Sequence, residues 1–350
     1  MFGRILSNIY GFFVKKRNTE YDNKEDIFKC RIPVISVGNL SVGGTGKTPF
    51  VQMLAKYFIS KGFKPGIVGK GYKRRSKGEI IVGDGQKVLT SAHEGGDEMV
   101  LLADSLNVPV IAHDSKTEAA KSMQEKFDVD LLIVDDGFQH RGLYRNLDIV
   151  LIDKETHDKP LLLPTGRLRE PIESLKRADV VCLTGSFKLD DNFNEHISED
   201  AVKIRVKTVQ ANPYTLANKQ QIKIRDAKKS PIKVIAFAGI AKPERFYNML
   251  NESGFVIVKS LPFSDHHDYK KNDIDMLVKV CKTENCTDLA TSEKDAAKLS
   301  EFTDILTSNG IRCLVFPIAL TIIEGKMEFF KMIGNKINRN IYNKRYRNDN

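Results

Sequence analysis

The chain is organised by short apolar runs set between amphipathic stretches. Aliphatic, β-branched-rich runs at Val34–Val37, Ile67–Val68, Val108–Ile111, Leu131–Val134, Ile149–Ile152 and Val180–Leu183 read as strands. Between several of them the apolar positions repeat with helical period, as in Phe50, Val51, Leu54, Tyr57 and Phe58. The run Leu131-Leu132-Ile133-Val134 is continuous rather than alternating, the mark of a strand buried on both faces. Strands alternating with helices in this way predict an α/β fold, a doubly wound, mostly parallel sheet over residues 31–200. The pattern then changes. Val202–Val209 and Gln221–Ile224 alternate on either side of Pro213, which predicts a two-stranded β connector over 201–230. A second, smaller α/β domain is expected over 231–335, with strands at Val234–Ala238, Phe255–Val258, Asp288–Ala290 and Arg312–Phe316 and a helix running to Leu250.

Residues 1–30 stand apart. Phe2, Ile5, Leu6, Ile9, Tyr10, Phe12 and Phe13 share one broad face of a predicted helix, and Lys15, Lys16 and Arg17 follow at once. A cleaved signal peptide begins with charge and ends in small residues, so this order argues against secretion. The helix either lies in the interface of an anionic membrane, gaining roughly 1 kcal/mol per basic residue near the surface, or docks on the core.

Length and charge refine this outline. The 350 residues are enough for two domains with their own cores, and 41% hydrophobic against 29% charged residues is ordinary globular usage. No apolar run reaches the ~18–20 residues needed to span a bilayer. Five cysteines without CxxC spacing indicate neither a disulfide framework nor a zinc ribbon, and the chain reads as reduced and cytosolic. Of the formal net charge of +10, residues 1–17 supply +4 and residues 331–350 supply +5. The body between them is nearly neutral, and the basic tail, 336–350, reads as a solvated end.

The strongest chemical signal follows the first strand. Ser41-Val42-Gly43-Gly44-Thr45-Gly46-Lys47-Thr48-Pro49 lies between that strand and a helix. Phosphate oxygens are held by consecutive backbone N–H groups at a helix start, which requires residues without a Cβ in the approach. Lys47 is expected to reach the β and γ phosphates and the Thr48 hydroxyl to sit on Mg²⁺. Ser41 replaces the glycine of the strict pattern, with Gly43 and Gly44 compensating. Pro49 suits a first helical turn, where its missing N–H costs nothing. Further on, the buried strand 131–134 ends in Asp135-Asp136, where open α/β sheets bind ligands; one of the pair would hold Mg²⁺ and the other orient a donor or water.

With these residues in view, the chain resembles the tetraacyldisaccharide 4'-kinase family, the lipid A kinases. The resemblance rests on Val37 to Pro49 and, most specifically, on Asp135-Asp136-Gly137-Phe138-Gln139-His140-Arg141. It is supported by Gly69 to Tyr72, Gly95 to Glu98, Leu163 to Pro171, Asp265-His266-His267 and Thr291 to Asp295. Two positions depart from it: Lys70 stands where arginine is expected, and Arg167 where proline is commoner. The resemblance implies transfer of the ATP γ-phosphoryl group to the 4'-hydroxyl of a tetraacylated glucosamine disaccharide 1-phosphate. It also implies a peripheral enzyme on the cytoplasmic face of the bacterial inner membrane, which favours the membrane reading of the first helix. An anionic membrane surface is then the expected partner, with no nucleic acid and no obligate protein partner.

For the attacking hydroxyl, the resemblance suggests Asp97 and His266 as a dyad, the histidine taking the proton and the carboxylate orienting it. Read bottom-up, without the resemblance, Asp97 after Gly95-Gly96 is a helix cap. Glu98, Gln139, His140 and Arg169 are candidate substrate contacts; Arg169 could instead pair with Glu170 or Glu173. Asp265-His266-His267-Asp268 makes a poor metal cluster, since adjacent loop side chains seldom converge on one ion. Two other classes compete: a membrane-associated switch ATPase of the partitioning type, whose signature lysine is here Val42, and a GTP-dependent metal-insertion chaperone, whose Cys/His site is missing.

Overall fold

The computed structural model describes residues 2–72, 74–224 and 229–338, so most of the basic tail lies outside the described residues. The chain forms two compact units, Met1–Thr208 with Leu320–Asn350, and Val209–Ala319.

The first unit is built on a nine-stranded sheet. Its strands are β1 (Val34–Asn39), β2 (Pro65–Gly69), β3 (Ile80–Asp84), β4 (Pro109–Ala112), β5 (Leu131–Asp135), β6 (Leu147–Asp153), β7 (Val180–Thr184), β8 (Val202–Gln210) and, near the end of the chain, β14 (Ile318–Glu324). Their order is β14-β8-β7-β6-β1-β5-β2-β4-β3. From β8 to β4 all neighbours are parallel, and β3 closes that edge antiparallel to β4. Every residue of β1, β2 and β5 is buried, as continuous apolar runs demand. The sheet turns in opposite directions on the two sides of β1, and ligands of such sheets bind at that switch point. Register makes the placement specific: Val37 of β1 pairs with Asp135 of β5, so the glycine loop and the aspartate pair leave the sheet side by side.

The first helix, Phe2–Asp22, belongs to this unit; one of its faces docks on the body and another stays exposed. Ser7, Tyr10, Val14, Arg17 and Asn18 face the body: Val14 is buried, and the Tyr10 hydroxyl donates to the Arg169 carbonyl at 2.9 Å. Ile5, Leu6, Ile9, Phe12 and Phe13 remain outside, with Phe12 67% and Phe13 64% exposed. Tyr10 is thus removed from the apolar face to which spacing assigned it.

Two boundaries differ from the sequence pattern. Val202–Gln210 is not half of a separate connector; it extends the large sheet beside β7. Of the expected second connector strand, Gln221 forms only a bridge to Tyr214. Residues 320–335, expected in the second domain, return to the first unit as most of β14 and the helix Lys326–Ile333. There Phe329 meets Phe50 edge-on (centroids 6.2 Å apart), and Phe330 stacks on Tyr57 at 4.3 Å. That helix covers the outer face of the helix Lys47–Ser60.

The second unit carries a five-stranded sheet of β9 (Tyr214–Thr215), β10 (Ile232–Ala238), β11 (Phe255–Pro262), β12 (Asp288–Ser292) and β13 (Arg312–Phe316), ordered β11-β10-β12-β13-β9. Only β9 is antiparallel. Separate apolar clusters fill its two faces, one around Phe237, Leu277 and Leu289, the other around Phe246, Phe255 and Phe316.

Candidate active site

The loop after β1 is shaped by glycine. Gly43 and Gly46 have φ of 106° and 90°, the left-handed region that a side chain strains. At Gly43 a Cβ would also come within 2.2 Å of the Arg167 guanidinium, which closes on the Val42 carbonyl at 2.7 and 3.1 Å. Arg167 also pairs with Glu155 at 2.5 Å, so the departure from proline noted in the sequence braces the rim of the loop. At Gly44 there is open space. The helix begins at Lys47 with no side-chain cap, leaving its first N–H groups for a ligand, and Pro49 withholds none that is needed. Thr48 is buried at this start, and Thr45 accepts from the Asn39 amide at 2.9 Å. Ser41 is turned inward, sharing a hydrogen bond with Thr156 at 2.9 Å. Its side chain therefore stabilises the base of the loop rather than facing the ligand.

Beside the loop the two aspartates have opposite characters. Asp135 is buried, and burial, with the charges of Glu98 and Asp136, pushes its pKa up to about 7 against the pull of Lys47 and Lys116. Its Oδ1 is buried without a hydrogen-bond partner. Asp136 has a left-handed φ of 53°. Burial alone would raise its pKa too, but the fork of Arg169 at 2.7 and 2.8 Å, with Lys47 and Lys116, holds it well below the usual carboxylate range. Lys47 Nζ lies 3.5 Å from Asp136 Oδ1. Arg169 is thus neither a surface partner of Glu170 nor of Glu173; its guanidinium orients Asp136 and also reaches the Asn39 side chain.

Lys116 completes the group and escaped the sequence reading. It starts the helix Lys116–Lys126 after β4, is buried, and donates to the Asp136 carbonyl. Burial depresses its pKa against the two aspartates. The signal that could have found it is positional: β4 also ends on this edge of the sheet. Gln139 donates to the Asn39 carbonyl at 2.9 Å, while its Oε1 is buried without a partner. His140 lies 3.4 Å from the Thr117 hydroxyl, and burial, with Lys116 and Arg145, lowers its pKa to about 4, so it is neutral at pH 7.

Asp97 is the first residue of the helix Asp97–Leu106, with Gly96 (φ 85°) as the cap. A Cβ at Gly96 would lie 2.7 Å from the Gly71 Cα, so this turn tolerates only glycine. The Asp97 carboxylate is buried and accepts from the Glu98 N–H at 3.0 Å. Glu98 lies near enough for its charge to help raise the Asp135 pKa.

His266 belongs to the second unit. It has a left-handed φ of 61°, and its N–H donates to the Gly239 carbonyl at 3.0 Å. The neighbouring His267 is occupied structurally, 3.1 Å from Asp273 and packed between Phe263 and Tyr269. The anchor of this loop is Asp295, fully buried, which accepts from the Gly239 N–H (3.1 and 3.2 Å), the Tyr269 hydroxyl (3.1 Å) and the Ser292 hydroxyl (2.7 Å). Asp295 therefore knits the ends of β10 and β12 to the loop bearing His266.

Comparison with known proteins gives this arrangement its setting. The family model described as tetraacyldisaccharide-1-P 4'-kinase matches residues 1–338. The tetraacyldisaccharide 4'-kinase of Chlorobium luteolum is 35% identical over 335 residues, covering 93% of this chain and 94% of its own. That of Desulfotalea psychrophila is 36% identical over 309 residues, covering 85% and 87%. This chain belongs to the tetraacyldisaccharide 4'-kinase family. Among solved structures, apo-form LpxK from Aquifex aeolicus in complex with ATP matches with a TM-score of 0.75 and 30% identity, over 95% of this chain and 97% of that one. The mixed α/β fold with its large, mostly parallel sheet is that of the kinase, and the partitioning ATPase is not the reading supported.

The site fits the family's need for ATP with Mg²⁺. Mg²⁺ is held by one or two carboxylates, water and substrate phosphates rather than by an all-protein cage. Two carboxylates, one with an unsatisfied buried oxygen, and the Thr48 hydroxyl meet that need. Among the described residues no cluster of three or more His, Cys, Asp or Glu side chains could hold a metal, Asp265 to Asp268 included. No described helix is long and apolar enough to cross a membrane.

Proposed function

We propose that this kinase transfers the γ-phosphoryl group of ATP to the 4'-hydroxyl of a tetraacyl glucosamine disaccharide 1-phosphate, at the cytoplasmic face of the bacterial inner membrane. The observation that carries the reading is the pairing in register of a glycine loop, ending in Lys47, with a strand ending in Asp135-Asp136, in a chain of this family.

Mg²⁺, when bound, neutralises charge on the β and γ phosphates. Thr48, Asp135 and Asp136 are the residues to hold it. The amides of residues 43–48 hold the phosphates, Lys47 binds the transferring group, and Arg169 fixes Asp136 so that its carboxylate does not swing with the ligand. From the family resemblance, His266 is assigned the proton of the attacking hydroxyl and Asp97 the role of its carboxylate partner. Each is held firmly in its own unit, His266 by its N–H bond to the Gly239 carbonyl and Asp97 as a buried carboxylate at a helix start. Glu98, Gln139 and neutral His140 are the polar contacts assigned to the sugar. The exposed Ile5, Ile9, Phe12 and Phe13, with Arg4, Lys15 and Lys16 on the same helix, seat it in the interface of an anionic leaflet.

The test is incubation with γ-labelled ATP, Mg²⁺ and detergent-dispersed tetraacyl disaccharide 1-phosphate. Label in the lipid is the expected result. Label only in free phosphate, with hydrolysis stimulated by vesicles, overturns the acceptor assignment and revives the switch ATPase.

A further inference from the structure

The helix Phe2–Asp22 carries an apolar face that could act as a simple anchor, yet a separate face of the same helix holds the residue that orients Asp136. Arg169 and Glu170 are consecutive, and both hang from it. The Tyr10 hydroxyl donates to the Arg169 carbonyl at 2.9 Å, and two helical turns later Arg17 meets the Glu170 carboxylate at 2.7 Å. Glu170 is fully buried and takes Arg177 on its other oxygen at 2.6 Å. On the opposite side, the Arg169 N–H donates to the Leu40 carbonyl at 2.7 Å, at the root of the glycine loop. Arg169 is thereby strung between loop and helix, with its guanidinium forked on Asp136.

We propose that Tyr10 and Arg17 are positioning residues of the nucleotide site: through the Arg169–Glu170 backbone they set the guanidinium fork that fixes Asp136. A two-point fork on a carboxylate is sensitive to small displacements, because both N–H···O bonds require one plane and one distance. Removing an outer partner that orients a metal-binding group commonly costs 10–100-fold in metal affinity or activity. The helix is then an integral wall of the site as well as a seat for lipid.

The proposal rests on the nucleotide site assigned to Lys47 and Asp136, and the experiment separates the two. Mg²⁺-dependent binding of a non-hydrolysable ATP analogue to the full chain is measured without lipid or vesicles, so membrane anchoring contributes nothing. Tyr10→Phe and Arg17→Gln are each expected to weaken binding, the double variant by about tenfold, and Arg17→Lys to recover most of the loss. Phe12→Ser with Phe13→Ser is expected to reduce partitioning into anionic vesicles and raise the KM for lipid while leaving analogue affinity within about twofold. Arg17→Gln leaves Glu170 paired with Arg177, so no buried charge is abandoned; should it nevertheless misfold, Tyr10→Phe, which removes one hydroxyl, decides the matter alone. Unchanged analogue affinity in the double variant, with Lys47→Ala still abolishing binding, overturns the positioning role and keeps the site. Unchanged binding in Lys47→Ala overturns the site itself.

Discussion

The two units place a buried carboxylate at the same kind of position, the C-terminal edge of a parallel sheet, and put it to opposite uses. In the first, Asp135 ends β5 with one oxygen unpartnered, a pKa raised to about 7 and a like charge next door. In the second, Asp295 follows β12 with both oxygens filled by the Gly239 N–H, Tyr269 and Ser292, and with Lys298 3.7 Å away. Burial alone distinguishes nothing. Asp295, its acceptor capacity spent on its own chain, is a structural rivet; Asp135, left short of donors, has room for the cation we propose it holds.

The largest effect expected from breaking this contrast is on turnover. Lys47→Ala and Asp135→Asn should each lower the rate of phosphoryl transfer about a thousandfold or more, measured at saturating ATP and lipid, since phosphoryl transfer is carried by positioning and charge neutralisation. Asp295→Asn attacks the other side. An amide there turns a donor toward donors, which should cost about 2–4 kcal/mol of stability in denaturant titration. Asp135→Asn should do the reverse and raise the ligand-free stability at pH 8 by about 1 kcal/mol, because it removes a desolvated charge that Glu98 and Asp136 repel. Losses of similar size in both variants would erase the distinction.

A smaller effect is the dependence on pH. The Asp135 pKa is about 7 folded against an ordinary 3.8, so between those values the native state holds a proton that the unfolded chain has released. Ligand-free stability should therefore fall as pH rises from 4 to 7 and level off above, and Asp135→Asn should flatten that slope. Asp136, held low, contributes in the opposite sense and only as pH drops below its ordinary 3.8. Mg²⁺-dependent nucleotide binding should strengthen as pH rises through about 7, where Asp135 ionises. The smallest expected change is His267→Ala, about 1 kcal/mol of stability from the lost Asp273 contact, with turnover far less affected than in His266→Ala.

Which parts of this were legible in the sequence follows from how local each signal is. The strand, glycine loop and helix from Val34 to Ser60 are specified by contiguous residues, and so is the apolar run into Asp135-Asp136; both lie where periodicity put them. The edges were harder. β3 and β14 are strands at the ends of the sheet, partly exposed, so their residues need neither alternate nor stay continuously apolar. Lys116 and Arg169 are brought to Asp136 from 20 and 33 positions away by sheet order alone, which no spacing rule encodes. Asp295 reads locally as a helix start and does cap with Ser292; that it also anchors Gly239 and Tyr269 depends on β10 and β12 lying adjacent. Tyr10 was misassigned because a broad apolar face and an aromatic with a polar tip look alike in a helical pattern until a partner for the hydroxyl exists.

The return of residues 320–338 to the first unit has a consequence for synthesis. The helix Lys47–Ser60 emerges from the ribosome early, but Phe329 and Phe330, which cover Phe50 and Tyr57, are made some 280 residues later. Meanwhile the second unit, contiguous from Val209 to Ala319, has everything it needs to fold first. The nascent kinase thus carries an uncovered aromatic stripe on the helix after its glycine loop until residues 320–338 arrive. A chain truncated before Phe329 would keep every residue proposed here for chemistry and still present that stripe to chaperones and proteases.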